Sequence, residues 1–388
     1  MNTVTVRRFI GPALLISAAV LVGCERPPVD VEQTGYRGTG MQNPENPRMR
    51  ERDRARHEAP DALSEASDSG PRASEVYENV EVLGDLSVAE FQRVMRAMTE
   101  WVSPEQGCNY CHVDGDFASE DIYTKAVSRR MLEMTRHINA NWEAHAGETG
   151  VTCFTCHRGE NVPEEQWFYE EDDSRFPGAG NRQMQNMPSS KTAQSSLPRN
   201  AFDAYLEGDR EISVQGDSAL PTDHVASIQH TELTYSLMMH MSDSLGVSCQ
   251  VCHNSRAFGA WDQSPPQRTT AWHGIRMVRE LNNAYLNPLT SIFPDHRLGP
   301  QGDVGKINCA TCHQGIQQPL YGANMVDAYP SLVGAADEDT REMDWEMETD
   351  PSEEIETDGD GEMARFSAEE QERQLYAERL SRYLDDRE

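Results

Sequence analysis

Four copies of one short motif contain most of the residues that could do chemistry in this sequence of 388 residues. Each copy reads Cys-x-x-Cys-His, and together the copies take up eight of the nine cysteines. Two thiols three positions apart can add to the two vinyl groups of one haem, and the adjacent histidine then supplies an imidazole to the iron. The pattern therefore predicts four covalently bound c-type haems. The predicted thioether residues are Cys108, Cys111, Cys153, Cys156, Cys249, Cys252, Cys309 and Cys312, and the proximal iron ligands are His112, His157, His253 and His313.

Three other chemistries use paired cysteines: a redox dithiol, a structural zinc site and a disulfide. A zinc site would need the cysteines to recombine across motifs, and it would leave the adjacent histidines unused. Four repeats of the full motif behind an export signal favour haem over all three alternatives.

The second axial ligand of each iron decides whether the protein binds a small molecule or only passes electrons. A helix with apolar spacing precedes each motif, and each helix carries methionine, whose thioether is a standard iron ligand. The candidates are Met95 or Met98, Met131 or Met134, Met238 or Met241, and Met277 in the fourth helix. His145, in the loop before the second motif, would instead give a bis-histidine haem of lower potential. Spacing alone does not choose within these sets.

The first of these helices has the clearest start signal. Ser87 and Glu90 form a Ser-x-x-Glu capping box. Its apolar residues recur at steps of three and four, which places them on one face; they are Val88, Phe91, Met95, Met98 and Trp101. Methionine on such a face is usually core packing, so this face has to supply both core residues and any ligand.

The motif histidines are 45, 96 and 60 residues apart, which suggests a duplicated two-motif half. We predict a mainly α multihaem cytochrome of repeated helix–turn–Cys-x-x-Cys-His units in two pseudo-twofold halves, with long loops and little β structure. The predicted organisation is a signal peptide over 1–23, a disordered tether over 24–75, a tetrahaem core over 76–333 and an acidic, mostly disordered tail over 334–388. Within the core, the first half covers about 76–165, the connection 166–222 and the second half 223–333.

The ninth cysteine, Cys24, ends an apolar run near the N-terminus. Arg7 and Arg8 precede residues 9–22, which are too short a stretch for a membrane-spanning helix, and the run ends in Leu-Val-Gly-Cys. This ending resembles a bacterial lipobox, so we predict that Cys24 is lipidated and becomes the mature N-terminus. The alternatives are an ordinary signal peptide with an incidental cysteine and a short uncleaved anchor.

The charge balance limits the partners. The sequence has 34 basic and 65 acidic residues, a net charge of -31, which argues against nucleic acid and favours a basic partner. Hydrophobic residues make up only 37%, below the usual share, and bound haems would supply apolar bulk that the side chains lack.

Three segments carry a family resemblance beyond the motifs: "SLGVSCQVCHNSRAF", "PPQRTTAWHGIRMVRELNNAYLNPL" and "CATCHQGIQQPLYGANMVDAYPSL". With the motif spacing, they closely resemble the tetrahaem cytochrome c subunit of purple-bacterial photosynthetic reaction centres, over about 76–333. The resemblance implies three His/Met haems and one His/His haem. It implies distal ligands Met95, Met131 and Met238 for the first three motifs and His145 for the fourth, with Met277 as the rival. It also implies that the third haem lies nearest the special pair of bacteriochlorophylls and the first lies farthest away.

The function that the resemblance implies is electron transfer, not catalysis. Electrons would come from a soluble periplasmic cytochrome c or a high-potential iron–sulfur protein and reach the photo-oxidised special pair. The chain would dock on the reaction-centre L and M subunits at the periplasmic face of the inner, photosynthetic intracytoplasmic membrane. A periplasmic multihaem reductase would need a haem with an open face. A quinol-linked multihaem cytochrome would need a true membrane helix.

Overall fold

The computed structural model describes residues 29–34, 41–170, 188–214 and 227–336. The predicted signal peptide, Cys24 and nearly all of the acidic tail lie outside these residues. The chain divides into two compact units. We call them the small unit, which comprises the described residues up to Glu58 with Val247–Arg268, and the large unit, which comprises Ala59–Gly246 and the residues from Thr269 onward.

The small unit contains a two-stranded antiparallel sheet. Strand β1 (Asp30–Gln33) pairs with β2 (Gln42–Glu45), and helix α1 (Pro47–Asp53) follows. Thr34 donates to the Gln250 carbonyl at 2.8 Å, and the Ser248 amide donates to Asn43 at 3.1 Å. The composition predicted a disordered tether here, and these residues are instead a hairpin. Its partner is the loop of the third motif, about 200 residues away, so local composition carried no signal for it.

The large unit is built from helices, as predicted, and the described residues contain few strands. Four helices precede the Cys-x-x-Cys-His motifs: α3 (Val88–Val102), α4 (Tyr123–Asn141), α7 (Ile228–Leu245) and α8 (Gln267–Leu281), of which the first two residues of α8 belong to the small unit. The short helices are α2 (Ala73–Val76), α5 (Glu143–Ala146), α6 (Cys153–His157) and α9 (Cys309–His313). Within the described ranges, no helix is both long and apolar enough to cross a membrane.

Helix α3 shows why these segments are helical. The Ser87 hydroxyl accepts from the Glu90 amide, and the Glu90 carboxylate accepts from the Ser87 amide, both at 3.1 Å. This capping box satisfies two of the otherwise unpaired amides at the helix start. The fully buried face is Val94, Ala97 and Trp101, whereas Met95 and Met98 are only half-buried beside it.

Two apolar clusters form the core of the large unit. The first packs α3 against residues 320–332; it includes Trp101, Leu132, Tyr329 and Leu332. The second joins α4, α7 and α8 to the connection; it includes Trp167, Phe202, Tyr205, Leu237, Val278 and Leu281. These clusters pack together the helices that carry the candidate methionine ligands.

Candidate haem sites

The second and fourth motifs are short α-helices. Helices α6 and α9 each begin at the first cysteine and end at the histidine. The threonine before the second cysteine caps the helix: Thr155 accepts from the Thr152 amide at 2.9 Å, and Thr311 accepts from the Asn308 amide at 3.0 Å. Residues three apart lie on one helix face, so both thiols of each motif can reach the same haem edge.

The first and third motifs are tighter turns. Gly107–Tyr110 and Cys249–Val251 are 3-10 helices. In both, the histidine amide donates to the carbonyl of the first cysteine, at 3.0 Å for His112 and 2.9 Å for His253. One helical turn therefore still joins the first cysteine to the histidine.

All four motif histidines are oriented by a backbone carbonyl. His112 and His253 donate Nδ1–H to the carbonyl of the phenylalanine five residues later, at 3.1 and 3.0 Å. His157 and His313 donate to the carbonyl of the residue three later, at 2.9 and 3.1 Å. A carbonyl only accepts, so Nδ1 carries the proton and Nε2 keeps its lone pair. This is the tautomer that an Nε2-ligated iron requires.

Burial keeps these imidazoles neutral. Desolvation lowers the pKa of His157, and it lowers the pKa of His313 to about 4, with a smaller contribution from His145. Neutral imidazole is the form that binds a metal ion, so the local environment of the motifs suits iron ligation.

Three of the motif thiols do not have the character of a redox dithiol, whereas a hydrogen bond from Cys156 lowers the pKa of Cys312. Burial raises the pKa of Cys153 and of Cys309 to about 12, and that of Cys252 to about 11. A reactive thiol needs the opposite shift. The eight motif cysteines form no disulfides, and the described residues contain no group of three or more His, Cys, Asp or Glu arranged to hold a metal ion. The high thiol pKa values of Cys153, Cys252 and Cys309 and the neutral, Nδ1-oriented motif histidines fit covalent haem.

The second and fourth motifs lie side by side. Cys156 Sγ and Cys312 Sγ are 2.7 Å apart. The residues after the two histidines, Arg158 and Gln314, both have left-handed backbone conformations. Arg158 donates to the Cys312 carbonyl at 3.3 Å, and Gln314 donates to the Cys156 carbonyl at 3.4 Å. The two motifs thus make the same contact in both directions.

His145 lies opposite the histidine of the fourth motif. The ring centroids of His145 and His313 are 6.0 Å apart, with an angle of 66° between the rings. Two imidazoles that ligate one metal ion through Nε2 would need about this separation, because a metal–nitrogen bond is about 2 Å long. His145 donates Nδ1–H to the Thr270 carbonyl at 2.9 Å, which leaves its Nε2 free. The rival, Met277, is 7% exposed inside the second core cluster, so the geometry favours His145.

Burial separates one pair of candidate methionines. Met134 is 8% exposed inside the second core cluster, whereas Met131 is only half-buried at its edge. The greater exposure of Met131 favours it as the ligand. Met95 and Met98 are both half-buried, as are Met238 and Met241.

Helices α3, α4 and α7 also share a short sequence repeat that apolar spacing alone does not reveal. They contain Met95-Arg-Ala-Met-Thr99, Met131-Leu-Glu-Met-Thr135 and Met238-Met-His-Met-Ser242. In the first two, the threonine hydroxyl donates to the carbonyl of the first methionine, at 2.9 and 2.8 Å. The repeat makes the first methionine of each helix equivalent.

Comparison with known proteins agrees with this chemistry. The family model described as photosynthetic reaction centre cytochrome C subunit matches residues 25–333. The photosynthetic reaction center cytochrome c subunit of Rubrivivax gelatinosus is 53% identical over 82% of this chain and 87% of its own length. Those of Thermochromatium tepidum and Roseobacter denitrificans are 49% and 42% identical, over 84% and 83% of this chain and 80% and 93% of their own lengths. The chain therefore belongs to the photosynthetic reaction centre cytochrome c subunit family.

Proposed function

We propose that this chain carries electrons from a soluble periplasmic donor to the photo-oxidised special pair of the reaction centre, with four covalently bound c-type haems. Family membership already makes it an electron-transport protein of photosynthesis that binds c-type haem. The observation that carries the finer proposal is that all four motif histidines are held with Nε2 free. The donor would be a small cytochrome c or a high-potential iron–sulfur protein.

Each haem, when bound, supplies a one-electron iron couple. The protein's residues hold, orient and shield it. The eight motif cysteines would form the thioether bonds, and each motif histidine would ligate iron through Nε2 while its Nδ1–H stays on the carbonyl. We assign Met95, Met131 and Met238 as the distal ligands of the first three irons. Four filled sixth positions leave no place for a substrate, which is why an electron carrier is proposed and not a reductase.

We assign His145 as the distal ligand of the fourth iron. Its apposition to His313 and its free Nε2 support the assignment. Imidazole raises the potential less than thioether does, so the fourth haem would be of lower potential than its His/Met neighbours.

The reciprocal contact between the second and fourth motifs supports a pseudo-twofold core. Arg158 donates to the Cys312 carbonyl, Gln314 donates to the Cys156 carbonyl, and the Sγ atoms of Cys156 and Cys312 are adjacent. The matched Nδ1 partners support the same pairing, because the first motif resembles the third and the second resembles the fourth. We propose that the second and fourth haems lie in the middle of the array, with the third toward the special pair and the first toward the donor.

We propose that lipid on Cys24 holds the chain at the periplasmic face of the inner, photosynthetic intracytoplasmic membrane, where it docks on the L and M subunits. One lipidated terminus binds a membrane only reversibly and does not orient a domain. Orientation would come from the docked core, 76–333, which 24–75 joins to the lipid and which 334–388 follows as an acidic tail.

A deletion experiment tests the proposal. In membranes that lack only this chain, the flash-oxidised special pair should be re-reduced slowly. In membranes that carry it, re-reduction should be fast even without added donor. Equal re-reduction in both membranes would refute the assignment. The Cys108→Ala/Cys111→Ala variant is a control for haem loading, since it should lose one haem of four.

A further inference from the structure

A buried ammonium group lies against the carbonyl that orients the first motif's histidine. Lys125, in α4, has a side chain that is 6% exposed. Its Nζ donates to the carbonyls of Phe117, Ala118 and Ser119 at 3.0, 2.8 and 2.9 Å. The Phe117 carbonyl also accepts Nδ1–H of His112, at 3.1 Å. One oxygen therefore joins the ammonium to the predicted iron ligand.

The carboxylates around Lys125 are more exposed to water than its ammonium group. Its carboxylate neighbour, Glu120, lies 3.2 Å from Nζ and also pairs with Arg129 at 2.7 Å. Arg129 holds the pKa of Glu120 down to about 2, so this carboxylate is ionised. Glu120 and Glu81, the second partner of Arg129, have side chains that are 49% and 60% exposed. Water screens these carboxylates, whereas the ammonium is shielded from it.

We propose that Lys125 raises the reduction potential of the first haem by acting on the His112–Phe117 hydrogen bond and by its buried charge. The inference rests on the proposed function, in which Cys108–His112 hold that haem. Two effects act with the same sign. The ammonium withdraws electron density from the Phe117 carbonyl, so His112 Nδ1–H is held less strongly and the imidazole is a weaker electron donor. The positive charge also favours the iron state with one more electron.

The size of the effect follows from the geometry. His112 Nδ1 and Lys125 Nζ share one oxygen, so they are at most about 6 Å apart. A unit charge about 10 Å from a redox centre, at an effective dielectric constant of about 20, changes its equilibrium about tenfold. For a one-electron couple, a tenfold change corresponds to about 59 mV.

Two charge-removing variants with opposite predicted signs provide the test, in a redox titration of the full-length holoprotein. Lys125→Gln keeps N–H donor groups for the carbonyls and removes the charge. One of the four midpoint potentials should therefore fall by about 59 mV, which is a tenfold change in the equilibrium constant. Glu120→Gln removes the opposing charge, so the same potential should rise, by less than that because Glu120 is half exposed. Lys125→Arg keeps the positive charge and should leave this midpoint potential at its wild-type value.

The outcomes separate electrostatics from structure. Shifts of the two variants in the same direction would indicate damage to the 117–119 loop and would overturn the proposal. Unchanged potentials in both variants would also overturn it. Mass spectrometry of the Cys108–His112 peptide makes the two failures distinguishable: a wild-type peptide without haem would refute the proposed function itself, whereas a haem-bearing peptide with unmoved potentials would refute only the role of Lys125.

Discussion

Replacing Gly274 with alanine should displace His145 from its position opposite His313. Gly274 lies in α8, one turn after Thr270, whose carbonyl accepts from His145 Nδ1–H. A Cβ at position 274 would clash with Cε1 of His145 and would lie 2.7 Å from its Nδ1 and 3.0 Å from its Nε2. Glycine is therefore required here because the imidazole packs directly on the helix backbone.

The magnitude can be worked from these distances. Non-bonded carbon atoms approach to about 3.5 Å, so the ring must move by about 1 Å. Overpacking of this kind typically destabilises a protein by about 1–3 kcal/mol. The gain in helix propensity from glycine to alanine is about 1 kcal/mol and offsets part of that. The fold should therefore survive, while a metal–nitrogen bond of about 2 Å cannot tolerate a displacement of that size.

Electron paramagnetic resonance of the oxidised holoprotein is the assay. Gly274→Ala should remove the bis-imidazole low-spin signal and leave the three His/Met signals in place. Thr269→Ala, at an exposed position of the same helix, is the matched control and should change nothing. An intact bis-imidazole signal in Gly274→Ala would show that His145 is not the ligand, or that it does not bind from the position it has here.

Three further predictions concern ligands and stability. Met95→His should lower the potential of the first haem, because imidazole replaces a thioether that raises it; an unchanged potential in that titration would move the assignment to Met98. Met131→Leu should abolish one of the three methionine–iron absorption bands. Met134→Leu should keep all three bands and lose less than about 1.5 kcal/mol of stability, since the swap conserves volume. The reverse pattern would exchange the two assignments. Fully buried Lys306 pairs with Asp303 at 2.6 Å. Lys306→Met should destabilise the protein by about 3–5 kcal/mol in denaturant unfolding, because it leaves Asp303 as an uncompensated charge. A loss below about 1 kcal/mol would show that the pair is not coupled in the fold.

The features predicted from the sequence are those encoded locally. The motifs, the capping box at Ser87 and the helices before each motif depend on residues within a few positions of one another, and the structure places helices α3, α4, α7 and α8 there. Spacing left Met131 and Met134 open, because both residues lie on the apolar face of α4, and burial agrees with the family resemblance in favouring Met131.

Contacts between distant segments could not be predicted in this way. His145 is held by Thr270, 125 residues away, and the Cys156–Cys312 contact joins residues 156 apart. The hairpin of β1 and β2 was missed for the same reason, since its partner is the third-motif loop. Lys125 is only eight residues from the Phe117 carbonyl, yet nothing in the sequence signals that a lysine on this helix turns inward.

Flash spectroscopy on native membranes tests the central claim most directly. After a single flash oxidises the special pair, the α-band of a haem in this chain should bleach within microseconds, as the special pair is re-reduced. The bleach should match the special-pair recovery in rate and in number of electrons. A special pair that recovers while all haem α-bands of this chain stay unchanged would contradict the account.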